Sequence, residues 1–593
     1  MDKATIFSSV IQMICGLTFF LFGMNVMSGD LEKLAGGKLE GLLKKFTANP
    51  LLGIFFGALI TIAVQSSSAV TVMLVGLVNS GIMHFSHTIF IIFGANIGTT
   101  LTAWILSLAG IESTNLAMMM LKPENFSPVL AFIGIIFVMF SKNSKRKSLG
   151  AVFVGFAVLM YGMEFMSAAM DPIKDIEGIE NVFIRFNNPL FGVLIGAVIT
   201  AVIQSSAASV GMLQALALTG LIDIGMVVPI VMGQNIGTCI TAVLSSLGTN
   251  AKAKRVAFLH TALNVIGTVL FTSVFWVVDI IFSPELFRAP ASAWSIALVH
   301  SIFNVAITVV LSPFAKYLIR LTEKCVRDNE SETGNKHIFV MDERLLGMPS
   351  IAVSECDNYS VKMAEDAKQM LITVFSILCD YDKKTAEWVA EQEEKLDAYE
   401  DDIGTYLVKV AALSLSEADS RRTGRMLHSI GNFERLGDHA LNLLETSKEI
   451  KDKNVVFSDD AYKELTVLTD ALIEIITLTV DAYSGNDVAL ASRVEPLEQV
   501  IDRLTEKVRK RHIDRLKSGE CTIELGFILS DILNNLERIS DHCSNIAVAI
   551  IEAERDEFEA HNYLSTVKSG NEDFDAEFNQ YKEKYRLLKT SGK

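Results

Sequence analysis

The chain has 593 residues, 50% of them hydrophobic, a formal net charge of −16 and a mean hydropathy of +0.37. That is too apolar for an ordinary soluble protein of this size, and an acidic balance argues against nucleic acid as a partner. The seven cysteines are scattered and form no CxxC pair, which argues against a disulfide framework or a zinc site.

Residues up to about 320 form successive apolar runs, and a membrane-crossing helix needs roughly 20 such residues. The run 5–27 reads as a first span rather than a removed signal peptide. A charged loop is expected over 28–49, with Lys33, Lys38, Lys44 and Lys45. The stretch 50–80 is apolar but interrupted by Gln65-Ser66-Ser67-Ser68. It is too long for one span and short for two, so a re-entrant hairpin is expected. Further spans are expected over 88–108, which contains Gly94-Ala-Asn-Ile-Gly-Thr-Thr, and over 128–140, whose start lies nearer Leu121. After the basic turn 141–148 comes a span over 150–170, then a second interrupted stretch over 188–220 carrying Gln204-Ser205-Ser206. Spans over 226–247, with Gly233-Gln-Asn-Ile-Gly-Thr-Cys, 256–282 and 293–318 complete the membrane part.

One offset, 139, relates the two halves of this part without a gap. It maps Gly16 to Gly155, Gly23 to Gly162, Asn49-Pro50 to Asn188-Pro189, Gln65-Ser66-Ser67 to Gln204-Ser205-Ser206, and Asn96, Gly98 and Thr99 to Asn235, Gly237 and Thr238. A shorter echo relates His260-xxx-Asn264 to His300-xxx-Asn304, which reads as interhelical hydrogen bonding. Basic residues concentrate in 28–49, 141–148 and 249–255, so those loops are expected to face the cytoplasm. The count is consistent only if each interrupted stretch re-enters without crossing. The N-terminus is then outside, and the repeats, about 5–140 and 149–282, are inverted, with 293–318 as an extra span.

A polar linker over 321–354 leads to long amphipathic helices over about 355–556. Here an offset of 103 relates Asn432-Phe-Glu-Arg-Leu-Gly-Asp-His439 to Asn535-Leu-Glu-Arg-Ile-Ser-Asp-His542, so two three-helix bundles are expected. The tail, 557–593, is polar and expected to be loosely ordered. The fold class is all-α: a polytopic membrane part and a soluble helical part.

A helix broken in mid-membrane exposes N–H groups at a positive dipole end. Serine hydroxyls and a glutamine amide add neutral donors, a set that suits a small oxyanion. With no Lys or Arg in either break, its charge needs co-bound cations, and oxygen ligands suit Na⁺. In the soluble part, Glu434/Asp438 and Glu537/Asp541 each place two carboxylates on one helical face, where a cation or an arginine must join them. Oxygen-only ligands favour Mg²⁺, Mn²⁺ or iron. Glu393/Asp397 and Glu498/Asp502 have the same spacing and are weaker candidates.

The two Gln-Ser-Ser signatures and their Gly-x-Asn-x-Gly-Thr partners resemble the type II sodium–phosphate cotransporter family over roughly 10–315. The resemblance implies that Gln65, Ser66, Ser67, Ser68, Gln204, Ser205 and Ser206 contact phosphate or Na⁺, and that Asn96, Thr99, Thr100, Asn235 and Thr238 complete the site. Ala207 and Cys239 depart from the pattern and remove a hydroxyl each on the second side. The repeated Glu-Arg-x-x-Asp-His resembles the PhoU family over about 355–553, which implies regulation of phosphate transport and carboxylates near a metal cluster. The expected function is sodium-coupled phosphate symport by alternating access in the plasma (inner) membrane, with phosphate, sodium and lipid as partners and no catalysis. A phosphate-sensing receptor without transport, and a carrier or exporter of another oxyanion, stand as alternatives. A homodimer is compatible with the sequence.

Overall fold

The computed structural model describes residues 3–43, 49–81, 83–110, 122–174, 188–327, 341–555 and 572–587. Lys44, Lys45, Leu121 and residues 328–340 of the expected linker lie outside them. Among the described residues the regular elements are helices and there is no β-strand. The chain divides into two compact units. The first takes the residues up to 336 together with Asp342–Ile351, and the second takes the remainder.

The first unit opens with α1, Lys3–Leu43. The loop expected over 28–49 is therefore helical for most of its length: charge was read as loop, but no proline interrupts 28–43 and its Leu, Glu, Lys and Ala residues favour helix. The broken pair α2 (Pro50–Val64) and α3 (Ser67–Asn79) follows, then α4 (Phe85–Ser107), α5 (Pro123–Phe140) and α6 (Ser144–Lys174). The second broken pair is α7 (Pro189–Ile203) and α8 (Ser206–Ala217), followed by α9 (Ile224–Ser245), α10 (Ala251–Phe282), α11 (Ala293–Leu311) and α12 (Ala315–Cys325). Among the described residues six stretches are long and apolar enough to cross a membrane. The expected span over 128–140 starts at Pro123 and is not among the six.

The repeat is visible in the packing. Asn49 caps α2 by accepting from the Leu51 N–H at 3.0 Å, with Pro50 in the first turn; Asn188 caps α7 through Leu190 at 3.0 Å, with Pro189. Each of these helices then lies backbone to backbone on the next long helix. Gly94 and Gly98 of α4 face the Ile54 and Ala58 carbonyls of α2; Gly233 and Gly237 of α9 face the Val193 and Ala197 carbonyls of α7. Small residues permit that approach. Between the halves, Gly16 of α1 meets Gly162 of α6, and Gly23 meets Gly155. The two helices therefore run antiparallel, and each contact is the offset-139 counterpart of the other. Phe20 of α1, fully buried, packs with Leu106 of α4 and Ala208 of α8 in the centre.

The end of the expected linker is built into this unit. Leu345, in the 3-10 turn Glu343–Gly347, fills the space a side chain at Gly76 of α3 would occupy. Asp342, 2% exposed, accepts from Asn79 Nδ2 at 2.8 Å and pairs with Arg344 at 3.0 Å. Arg344 also donates to the carbonyls of Ser245 and, at 3.0 Å, Leu247, past the end of α9. One clasp thus holds the ends of α3 and α9. Arg344→Ala should lower stability by about 2–3 kcal/mol, because it removes the cationic partner of a buried carboxylate. Arg344→Ala with Asp342→Asn should cost less than Arg344→Ala alone. Thermal unfolding of the purified full chain checks both.

The second unit holds α13 (Pro349–Ile377), whose first residues belong to the first unit, then α14 (Lys383–Ala411) and α15 (Glu417–Asp452). The other group is α16 (Asp459–Gly485), the short α17 (Val488–Ala491), α18 (Val494–Lys517) and α19 (Ile523–Arg555). The bundles meet along α15 and α19. There His439 stacks on His542 with ring centres 5.4 Å apart, His439 Nδ1 meets Asn535 Oδ1 at 2.9 Å, and His542 Nδ1 meets Asn432 Oδ1 at 3.0 Å. The repeated motif is thus the seam between the bundles. The tail corrects its expectation: α20, Glu572–Lys584, is a helix whose neighbourhood buries Phe578, Tyr581 and Tyr585. Three apolar residues at helical spacing were hidden by polar composition.

Candidate functional site

Gln-Ser-Ser encodes a two-residue helix break. The Gln65 N–H closes α2 on the Thr61 carbonyl at 2.7 Å while Gln65 itself turns left-handed, φ 56°. Ser66 is extended, and its Oγ opens α3 by accepting from the Ala69 N–H at 3.1 Å. Gln204, φ 59°, closes α7 on Thr200 at 2.7 Å, and Ser205 opens α8 through the Ala208 N–H at 3.2 Å. A left-handed non-glycine residue is costly and persists where its surroundings hold it. Since each serine Oγ acts as acceptor in the cap, its hydroxyl hydrogen is left to donate elsewhere, and that of Ser205 points to the weak acceptor Met24 Sδ at 3.9 Å. The N–H groups of Ser67 and Ser68, and of Ser206 and Ala207, lie in first turns and have no helical carbonyl to reach. Both tips are therefore donor-rich and sit at positive helix ends.

The tips are close to one another through α1. Ser28 donates to the Val64 carbonyl at 2.6 Å, and Ser205 Oγ lies 3.9 Å from Met24 Sδ. Met24 and Ser28 are one helical turn apart, so both breaks abut adjoining turns of a single helix. Their surroundings differ. Gln65 is 8% exposed; its Nε2 donates to the Ile62 carbonyl at 2.7 Å and its Oε1 accepts from Thr102 at 2.9 Å. Gln204 has an exposed side chain. Ser67 and Ser206 are buried; Ser66, Ser68 and Ser205 are half-buried. Among the described residues Gln65 and Gln204 share no hydrogen bond.

The long helices present the opposite chemistry. Thr99 donates to Ala95 at 2.9 Å, Thr100 to Ile97 at 2.7 Å and Thr238 to Gln234 at 2.9 Å, so their hydroxyl hydrogens are spent on helix carbonyls. Asn96 Nδ2 donates to Asn264 Oδ1 at 3.3 Å, and Asn235 Nδ2 to the Val231 carbonyl at 2.9 Å. Cys239 lies 3.5 Å from the Asn235 carbonyl and 3.7 Å from that of His260. What remains outward on α4 and α9 is oxygen lone pairs, which accept rather than donate. Donors at the tips and acceptors on the long helices are the two kinds of group that an anion and accompanying cations call for.

Residues that sequence reasoning missed brace this arrangement. Thr102 holds Gln65, Ser28 holds the end of α2, and Ser209 accepts from Thr200 at 2.8 Å and, at its carbonyl, from Gln234 at 3.0 Å. The repeat offered a signal for Ser209 and Gln234, since their counterparts are Val70 and Ala95. A cavity of about 560 Å³ beside α7, α8 and α9 is otherwise apolar and holds none of the expected ligands.

In the second unit the carboxylates converge differently from expectation. Glu393, Asp397 and Asp438 bring oxygens within 4.8 Å of one another, as do Glu498, Asp502 and Asp541. Glu434 and Glu537 are not in these groups: two residues four apart share a face, but a third ligand must come from the neighbouring helix. Glu537 lies 3.7 Å from Arg509. Burial, with Asp438 adding repulsion, pushes the Glu434 carboxyl up to about 7. Burial likewise raises Asp502, Asp541 and Glu393. Sets of three carboxylates fit a hard cation.

Residues 19–168 and 177–280 match the model of the family described as Na⁺/Pi-cotransporter, and 361–447 and 465–550 match the PhoU domain. The chain is 24% identical over 561 residues to an Escherichia coli protein named for inorganic phosphate export, YjbB, covering 92% of this chain and 98% of that one. It is 30% identical over 306 residues to Bacillus subtilis YqeW, 51% of this chain and 94% of the relative. It is 41% identical over 99 residues to the sodium-dependent phosphate transport protein 2A of Oryctolagus cuniculus, 16% of this chain and 15% of that one.

Proposed function

We propose that this chain, which belongs to the Na⁺/Pi-cotransporter family and carries a C-terminal PhoU domain, moves inorganic phosphate across a membrane and couples the movement to sodium. These are families of a transporter and a transport regulator, not of an enzyme. The observation that carries the reading is the sorting of chemistry at the two breaks: neutral donors on the tips, oxygen acceptors on α4 and α9. Phosphate sits at Ser66–Ser68 and Ser205–Ser206, with Gln65 and Gln204 flanking it. Sodium sits among Asn96, Thr99, Thr100, Asn235 and Thr238. Phosphate entering a negative-inside compartment climbs roughly 2.3 kcal/mol per charge per 100 mV, and sodium entry offsets this.

The antiparallel, reciprocal packing of α1 and α6 supports inverted repeats, in which alternating access exposes one tip and then the other. α5, at 18 residues, reaches about 27 Å at 1.5 Å per residue, close to the hydrocarbon thickness. Counting it as a span places the N-terminus outside and the PhoU domain in the cytoplasm of a plasma-membrane protein. That domain regulates transport. Its two carboxylate groups hold a hard cation such as Mg²⁺, Mn²⁺ or iron.

Labelled phosphate flux in proteoliposomes, under sodium gradients imposed in either sense, tests the reading. Flux should follow the sodium gradient and be spared by sulfate. Flux indifferent to replacement of sodium by potassium removes the coupling, and binding without flux favours a sensor. The relation to an export protein over nearly its whole length favours outward movement as the second reading, which flux against the sodium gradient would support.

A further inference from the structure

We propose that Asn264 of α10 is a positioning residue that fixes the Asn96 amide with its oxygen toward the ion site, making Asn96 a cation ligand rather than an anion donor. The proposal rests on the sodium coupling proposed above.

Asn264 is 1% exposed. Its Nδ2 donates to the His260 carbonyl one turn back in α10 at 3.0 Å, and to Cys239 Sγ of α9 at 3.3 Å. A backbone carbonyl can only accept, so the nitrogen end of this amide is fixed by chemistry and its Oδ1 points the other way. That Oδ1 meets Asn96 at 3.3 Å. The Asn96 atom facing it must therefore be Nδ2, which fixes the second amide as well. Asn96 Oδ1 is left turned away from α10 and meets no donor among the described residues. A carbonyl oxygen in that state serves a cation and repels an oxyanion.

The same pose is reached differently on the other side. Asn235 spends its Nδ2 on its own helix, at the Val231 carbonyl, and needs no third helix. The counterpart of Asn264 at offset 139 is Asn125, which is exposed. Among the described residues Asn235 and Asn125 share no such bond, so the relay is seen in the first half. It also joins the halves: it ties Asn96 of the first Gly-x-Asn motif to Cys239, the position where the second motif departs from the first.

A residue that merely bonds helices together would affect stability and both substrates alike, so the test separates the two substrates. The concentration of sodium giving half-maximal phosphate flux, and the phosphate KM at saturating sodium, are measured for the parent, Asn264→Leu and Asn264→Asp. Sodium-only thermal stabilisation is measured alongside. Asn264→Leu should raise the half-maximal sodium about tenfold, the factor set by losing one well-placed ligand, with phosphate KM changed less than about twofold. Asn264→Asp keeps an oxygen to accept from Asn96 and should recover most of the sodium affinity. Should the leucine variant fail to fold, Asn264→Ser, too short to reach Asn96, carries the same expectation. Unchanged sodium dependence in a folded Leu or Ser variant overturns the proposal, as does an equal loss of both affinities in the Leu, Ser and Asp variants. A parent whose flux ignores sodium overturns the coupling itself, a result distinct from either.

Discussion

Gly94→Val is expected to abolish recovery of monodisperse, transporting protein, and Gly233→Val should do the same. A side chain at Gly94 would overlap the Ile54 carbonyl and come within 2.8 Å of the Ala58 nitrogen; at Gly233 it would overlap the Val193 carbonyl and approach the Ala197 nitrogen at 2.9 Å. Overpacking against side chains costs about 1–3 kcal/mol because neighbours can rotate. Here the opposing atoms are backbone, so the helices themselves must separate. Separation of α2 from α4 would also pull Gln65 from Thr102, and with it the tip. Gly29, whose added Cβ would meet nothing within 4 Å, supplies the control: Gly29→Ala should be tolerated. Size-exclusion profiles and thermal unfolding of the three variants decide it, and a folded Gly94→Val with the parent's melting temperature would contradict the packing described.

Ser66→Ala should lower phosphate flux by a factor on the order of 10 to 100, the range of one or two hydrogen bonds to a charged group. Two losses add. The Ala69 N–H loses its cap, worth about 1 kcal/mol of stability, and the tip loses a hydroxyl donor. Ser66→Thr keeps both groups and should retain most of the flux. Ser205→Ala should act in the same direction, since Ser205 caps α8 through Ala208. A Ser66→Ala protein that melts earlier but shows an unchanged phosphate KM would reduce the serine to a cap alone.

The two breaks were legible because the repeat runs without a gap and both copies carry the same polar cluster. The division of labour within the cluster was not. That glutamine closes one helix and serine opens the next follows from backbone angles that residue type does not dictate, since a left-handed glutamine is unusual. Nor does the motif reveal why Gln65 is buried and Gln204 exposed. The difference arises on the following helix: Thr102 donates to Gln65, whereas its counterpart Thr241 donates to the Thr238 carbonyl of its own helix. The His260-xxx-Asn264 echo was seen, but its meaning depends on Asn96 and Cys239, which are far off in sequence. The clasp at Asp342–Gly347 was read as linker because its partners lie more than 90 residues away at their nearest.

The carboxylates of the second unit show the same limit. Spacing of four placed two acids on a face, but the converging sets take Asp438 with Glu393 and Asp397, and Asp541 with Glu498 and Asp502. Pairs along one helix are visible in sequence; which neighbouring helix supplies the rest is decided by packing.

On the proposed reading, neutral donors at two helix breaks, set against one face of α1, hold the oxyanion. An experimental structure of the full chain with phosphate and sodium measures this directly. Phosphate density is expected within about 3 Å of the Ser67 and Ser68 N–H groups and of those of Ser206 and Ala207, with sodium beside Asn96. Phosphate density held by lysine or arginine away from both breaks, with the tips unoccupied, would contradict it.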